Sequence, residues 1–383
     1  MPKSFLYIFL FFTFFLNVLL LDGDPSPIKR WGDVADEGFW VYNARVDNIF
    51  QNYTDDDMEM SKFGAPLFNI ITFHVFEILG ISLFSARITN LFSFIILVVF
   101  LLFLIRKYFD AKYSLHCVAL FCLTHEILMF VRWGTPIITM ILFQFMVLYL
   151  YNFGRKNIYF YFFSGIALAL SITTKISAVL FLPVIIIFII IELFDKNIKI
   201  FEIMIFIFGF LSLLVPLWFY FIEPNIHNYK IMLEYPAHTK GSFNLNLAIK
   251  NIFSIPFKFT LFKYPSTVFI FVGVVFYFLD KVIVIMDNSI KYFLSNISIL
   301  EKFSISWILG LSLSLCITNQ IGDDRRAVGL LIPFFILSIF YFHNSYNKKA
   351  SYNSFNVYKK NILFLFMIFT IILTAFYFAS VYK

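Results

Sequence analysis

The residues most able to do chemistry in this chain are carboxylates. Asp33, Asp36 and Glu37 cluster in Trp31–Arg45, WGDVADEGFWVYNAR, among the aromatics Trp31, Phe39 and Trp40. Acids kept beside apolar segments are candidates for a site, although a solvated loop also needs charge. One of an adjacent pair such as Asp36 and Glu37 could take a proton from a hydroxyl as general base while the other orients it. The same oxygens could hold a divalent cation. Cations stand at the ends of apolar runs further along: Arg45, Arg132 in VRWGTP, Lys175 in TTK, and Arg325 and Arg326 in DDRR. Lysine and arginine bind phosphate well, as a point charge and as a fork respectively. The plainer reading of each is a headgroup anchor or a snorkelling side chain. Taken together, acids and cations describe transfer from a phosphate leaving group: an acid activates the acceptor hydroxyl and cations stabilise the charge that develops on the phosphate.

The elements that would position these groups are membrane helices. Of 383 residues, 61% are hydrophobic and 14% charged, and the mean hydropathy is +0.84. A soluble domain is only about 45–50% apolar and about 25% charged. The chain therefore reads as an all-α polytopic membrane protein with a single domain over 1–383. A net charge of +7 fits basic loops at a membrane surface, without a nucleic-acid partner. Cys117, Cys122 and Cys316 sit in apolar runs without metal-ligand spacing and read as packing residues. His74, His116 and His125 read likewise as packing or hydrogen-bonding residues.

About eleven spans are expected: 4–21, 85–105, 113–131, 136–151, 159–172, 177–193, 200–222, 264–286, 303–318, 327–342 and 362–381. Residues 36–50 allow a short surface helix with Phe39, Trp40, Tyr42 and Ile49 on its membrane face. Residues 66–81 suit a shallow helix. Short basic loops at 106–112, 155–156, 196–199 and 348–360 belong on the cytoplasmic face. The turns at 131–135, 173–176 and 319–326, with the longer loops 22–66 and 223–262, then share the extracytoplasmic face. That face collects the acids and cations.

The order of features in the first loop resembles the GT-C glycosyltransferases of the protein mannosyltransferase and aminoarabinose transferase type. The resemblance rests on Asp36-Glu37-Gly38-Phe39-Trp40, Asn43-Ala44-Arg45, Ala65-Pro66 and Ser85-Ala86-Arg87. It implies a GT-C bundle with juxtamembrane helices in the first loop. It also implies a polyprenyl-phosphate sugar donor, a lipid, glycan or protein acceptor, and inversion at the anomeric carbon. Asp36 would be the base or acceptor-positioning acid, with Glu37 beside it. Lys175 and one of Arg325 and Arg326 would hold the donor phosphate. The setting would be a bacterial plasma membrane, with the site facing outward. The chain departs from the pattern at Ile137, where many relatives carry an acid after the proline. Two other classes share the span number: transporters or flippases of lipid-linked sugars, and O-antigen ligases or polymerases. The first favours charges in mid-membrane, and here the polar groups lie mostly at span ends. The second carries a large late outer loop, for which 223–262 is a modest candidate.

Overall fold

A computed structural model describes residues 34–50, 61–227, 229–230, 265–287, 289–318 and 328–347. The expected spans 4–21 and 362–381 lie outside the described residues. The described chain is all helical. Helices α1 (Val34–Phe50), α2 (Ser61–Gly64) and α3 (Pro66–Leu79) form the first-loop assembly. The bundle follows: α4 (Leu83–Arg106), α5 (Ala111–Cys122), α6 (His125–Val131), α7 (Ile137–Gly154), α8 (Tyr159–Thr174), α9 (Leu182–Phe194) and α10 (Ile200–Leu217). Helices α11 (Pro265–Asp287), α12 (Ile290–Asn296), α13 (Ile299–Ile317) and α14 (Leu331–Asn347) complete it. Among the described residues, five stretches are long and apolar enough to cross a membrane: Leu83–Arg106, Ile137–Gly154, Ile176–Phe194, Ile200–Ile222 and Ile299–Ile317.

Local signals set the helix ends. Pro66 opens α3, where a missing N–H costs nothing. Gly80 closes it with φ +77°, a left-handed cap that suits glycine, and its N–H bonds the Phe76 carbonyl at 2.9 Å. The Ser82 hydroxyl accepts from the Ser85 N–H at 3.1 Å and starts α4. Pro216 lies inside α10, and the backbone continues past it as a π-turn over Trp218–Ile222. A proline that removes one helical donor makes such a shift of register unsurprising.

Two boundaries differ from the sequence reading. The segment 113–131 is two helices, because the chain turns extended at Thr124, whose hydroxyl bonds back to the Leu120 carbonyl at 3.2 Å. The 303–318 span begins at Ile299. Ser298 and Glu301 form a capping box, and Glu301 and Lys302 are buried instead of lying in a loop.

Helix association in lipid depends on close packing and interhelical hydrogen bonds more than on hydrophobic burial. Helix α8 packs on α7 and α10, α9 on α13, and α11 on α14. At the α8–α10 crossing Gly165 and Gly209 face each other's helix: a Cβ on Gly165 would stand 2.0 Å from the Phe206 carbonyl oxygen, and one on Gly209 2.0 Å from that of Phe162. Ser164 donates to the Val147 carbonyl (2.8 Å) and Ser314 to that of Leu180 (2.8 Å). Trp307 fills the α9–α13 core against Phe181, with ring centroids 4.9 Å apart.

The helices alternate in direction, so their connections gather at two ends. At one end Lys107 Nζ donates to Asn152 Oδ1 (2.8 Å), and Arg155, Glu192, Asp195 and Lys302 form an ion-pair cluster. This end carries the basic loops 106–112, 155–156 and 196–199. At the other end the first-loop assembly lies on the bundle, with α3 against α4 and α8.

Candidate active site

Helix α1 advances 100° per residue, which gives it two faces. Asp36, Trp40, Asn43 and Asp47 fall within an arc of about 60°. Asn43 and Asp47 are buried, and Trp40 packs with Val41 and Ala44 against Ala65, Phe68, Phe76 and Ala86. Helix α1 packs on α3. Glu37 lies about a quarter turn from Asp36. The structure gives the helical positions of Asp36 and Glu37, and their side chains lie outside the described structure.

Arg45 falls on the opposite side. It is exposed, with its guanidinium 5.4 Å from the Tyr42 ring centroid, and Tyr42 and Ile49 are exposed beside it. The expected surface face therefore divides: Tyr42 and Ile49 point outward, whereas Trp40 turns into the assembly. Sequence periodicity placed Trp40 with the wrong neighbours because aromatic character suits both a membrane surface and a protein interior.

Lys175 is the end of this inward contact. Helix α8 stops at Thr174, and Lys175 is extended (φ −155°, ψ 122°) before a short 3-10 segment, Ile176–Phe181. The lysine is only 8% exposed. Its ammonium lies over the Trp40 ring, 4.8 Å from the centroid. It does not snorkel outward; it faces the acid-bearing helix.

A second lysine, missed in the sequence, joins it. Lys62 is buried in α2. Its N–H donates to Asn43 Oδ1 at 3.2 Å, and its ammonium lies 5.2 Å from the Phe63 ring centroid. Phe63 packs on Tyr229 (5.2 Å) and Phe221 (6.0 Å), with Ile176 against the same group. The segments carrying Lys62 and Lys175 are thus neighbours. Burial pushes the Asp47 carboxyl up to about 6, against the opposing pull of Lys62. The i, i+3, i+7 spacing of Trp40, Asn43 and Asp47 was a usable signal. Nothing around Lys62 in sequence marked it.

Arg132 is buried at the end of α6. The amide of Asn90 stitches that turn to α4, donating to the carbonyls of Trp133 and Phe130, while its oxygen accepts from Thr139 at 3.3 Å. Arg87, one turn before Asn90, is also buried. These contacts place Arg132 and Arg87 at the end of the bundle that carries α1. Arg325 and Arg326 lie outside the described residues, and so does Asp33. Among the described residues, no three His, Cys, Asp or Glu gather as a metal site. His74 pairs with Glu77 at 2.7 Å, His116 binds the Lys112 carbonyl at 2.6 Å, and all three cysteines are buried thiols.

The arrangement sets an acid-bearing helix beside buried cations. In a poorly solvated site such cations act on an anion far more strongly than in water.

Known proteins show the same architecture. The sequence profile of the dolichyl-phosphate-mannose-protein mannosyltransferase family matches residues 64–220. Among solved structures, ArnT from Cupriavidus metallidurans bound to undecaprenyl phosphate superposes with a TM-score of 0.64 at 12% identity, covering 99% of this chain and 72% of that one. The apo state of ArnT from the same organism gives 0.59 at 13% identity, covering 89% and 60%. No curated protein matches the sequence.

Proposed function

We propose that this chain is a membrane glycosyltransferase of the GT-C type, on the mannosyltransferase profile that matches residues 64–220 and the fold it shares with ArnT, and that it transfers a sugar from a polyprenyl-phosphate donor to an acceptor hydroxyl. The observation that carries the reading is the contact of buried Lys175 with Trp40, one turn along α1 from Asp36. It sets a phosphate-binding cation beside a helix that carries a carboxylate in the same register. The undecaprenyl phosphate bound by the ArnT neighbour makes a polyprenyl phosphate the natural donor class.

In this reaction Asp36 accepts the proton of the acceptor hydroxyl, and the acceptor oxygen attacks the anomeric carbon. The bond from that carbon to the phosphate oxygen breaks with inversion, and polyprenyl phosphate leaves with the bonding electrons. Lys175 stabilises the charge gathering on the phosphate, helped by Arg132 and by Arg325 or Arg326. Glu37 orients the acceptor. Arg45, on the exposed side of α1, meets lipid headgroups or the outer part of the donor. The site faces the extracytoplasmic side, since the opposite end of the bundle carries the short basic loops.

The test is release of polyprenyl phosphate by purified protein from a panel of polyprenyl-phosphate sugars. Wild type should release it. Asp36→Asn should lose on the order of 10²-fold or more in rate, the scale of a general base, and Lys175→Ala should bind donor more weakly. Full activity in the Asp36 variant would remove that residue as base. Movement of the intact lipid-linked sugar across vesicles, without release, would make the protein a transporter.

A further inference from the structure

We propose that the hydroxyls of Thr72, Thr89 and Thr135 bind the hydroxyl groups of the donor's sugar, at the end of the bundle that carries α1. The inference deepens the glycosyltransferase reading and rests on it for the presence of a sugar.

A contrast among hydroxyls carries it. In an apolar helix a threonine or serine often returns its hydroxyl to the carbonyl one turn back. Thr124 does so to Leu120 (3.2 Å), Thr174 to Leu170 (2.7 Å), Ser306 to Lys302 (2.9 Å) and Thr318 to Ser314 (2.8 Å). Thr72 in α3 and Thr89 in α4 are buried, at 0% and 5% exposure, yet their hydroxyls meet no hydrogen-bond partner among the described residues. Thr135, 1% exposed, stands just before α7 without capping it, and its hydroxyl is likewise unmet there. A buried hydroxyl without a partner costs stability, and a site that waits for a polar ligand is a reason to keep it.

Their positions converge. Thr72 lies between Phe68 and Phe76 on one stripe of α3, and both rings belong to the cluster that holds Ala86 of α4, with Trp40 packed against it. Thr89 follows Ala86 by three residues, about one turn deeper. Its neighbour Asn90 donates to the Trp133 carbonyl and accepts from Thr139 at 3.3 Å, which brings the turn bearing Thr135 to the same part of α4. Trp40 is the ring under Lys175, so the three hydroxyls stand on elements packed around the groups assigned to the donor phosphate. A phosphate calls for cations and a polyprenyl chain for apolar surface. Neutral groups that both donate and accept match the hydroxyls of the sugar joined to that phosphate.

The test compares two ligands on purified full-length protein: undecaprenyl phosphate, and the undecaprenyl-phosphate sugar bound best from the panel above. Wild type should bind the sugar-bearing lipid more tightly. Thr72→Val, Thr89→Val and Thr135→Val remove the hydroxyl at nearly constant shape. Each should lower the preference for the sugar-bearing lipid about fivefold, the scale of one hydrogen bond, and leave affinity for undecaprenyl phosphate within about twofold. Their melting temperatures should hold or rise, because an apolar group replaces a buried hydroxyl that lacks a protein partner. Thr72→Ser, Thr89→Ser and Thr135→Ser keep the hydroxyl and should keep the preference. Thr124→Val, which removes a back-bonded hydroxyl, should leave the preference unchanged. Thr72→Ala, Thr89→Ala and Thr135→Ala repeat the loss where a valine variant does not insert. Valine variants that keep the wild-type preference, or that lose affinity for both lipids alike, would overturn the proposal: the hydroxyls would then serve ordered water or the fold. Wild type that binds undecaprenyl phosphate without favouring a sugar-bearing form would overturn it too, and leave the polyprenyl-phosphate class standing. Wild type that binds neither lipid would remove the glycosyltransferase reading and this inference with it.

Discussion

The two ends of the bundle bury charge in different ways. At the far end acids and bases neutralise one another. Glu192, fully buried, takes Arg155 and, at 3.4 Å, Lys302, which also pairs with Asp195. Glu301 accepts the Tyr277 hydroxyl at 2.8 Å and lies 3.8 Å from Lys281. Three cations meet three carboxylates. At the end holding α1, Lys175 is set over an indole ring, and the backbone of Lys62 is held by an amide. The difference separates a clasp from a site. Ion pairing ties the far-end helices together, whereas at the near end an indole ring and an amide meet the two lysine-bearing segments. The far-end cluster joins the α7–α8 turn, α9, α11 and α13, and so links residues matched by the mannosyltransferase profile, 64–220, to the helices beyond.

The contrast can be broken most severely at Glu192. Glu192→Ala leaves Lys302 buried with part of its counter-charge gone and takes from the exposed Arg155 its partner, and loss of one partner of a buried pair costs about 3–5 kcal/mol. A large drop in thermal stability in detergent is expected. Donor affinity per folded molecule should hold, because the site is at the other end. An equal loss of affinity in the folded fraction would mean that the ends are not separate devices.

Asp47 offers a sharper test through pH. Its folded carboxyl is raised from 3.8 to about 6, chiefly by burial. The folded state therefore binds the proton more tightly than the unfolded one. The contribution of Asp47 to stability is greatest below pH 3.8, falls as pH rises to about 6, and is flat above. The full span is at most about 3 kcal/mol. Hydrogen exchange at the Lys62 amide should show a more protected α1–α2 contact at pH 5 than at pH 7, after correction for the intrinsic rate. Asp47→Asn should remove most of that difference.

The smallest of these effects is expected at the α8–α10 crossing. Gly165→Ala forces the two backbones apart, and overpacking of this kind costs about 1–3 kcal/mol. Because α8 ends at Lys175, that variant should also weaken donor binding modestly, whereas Gly310→Ala, at the α9–α13 contact, should lower stability with less effect on the donor. Paired thermal and binding measurements would separate the two.

Much of the architecture was legible from residue order. Apolar runs, their closing basic residues, Pro66 and Gly80 determined where helices run and which loops share an end, because lipid permits few ways of satisfying a backbone. The register of Asp36, Trp40, Asn43 and Asp47 was equally contained in the 3.6-residue period. Periodicity assigns residues to a face but does not say what that face meets. Only the tertiary structure decided that Trp40 turns inward to Lys175, that Arg45 turns outward, and that Lys62, 22 residues along the chain from Trp40, belongs to the same group. The same holds for Glu301 and Lys302. Their charge marks a loop in one dimension, and they are buried because Asp195, Glu192 and Tyr277 come to them from other helices. Partners distant in sequence determine whether a charge can be buried, and folding alone brings those partners together.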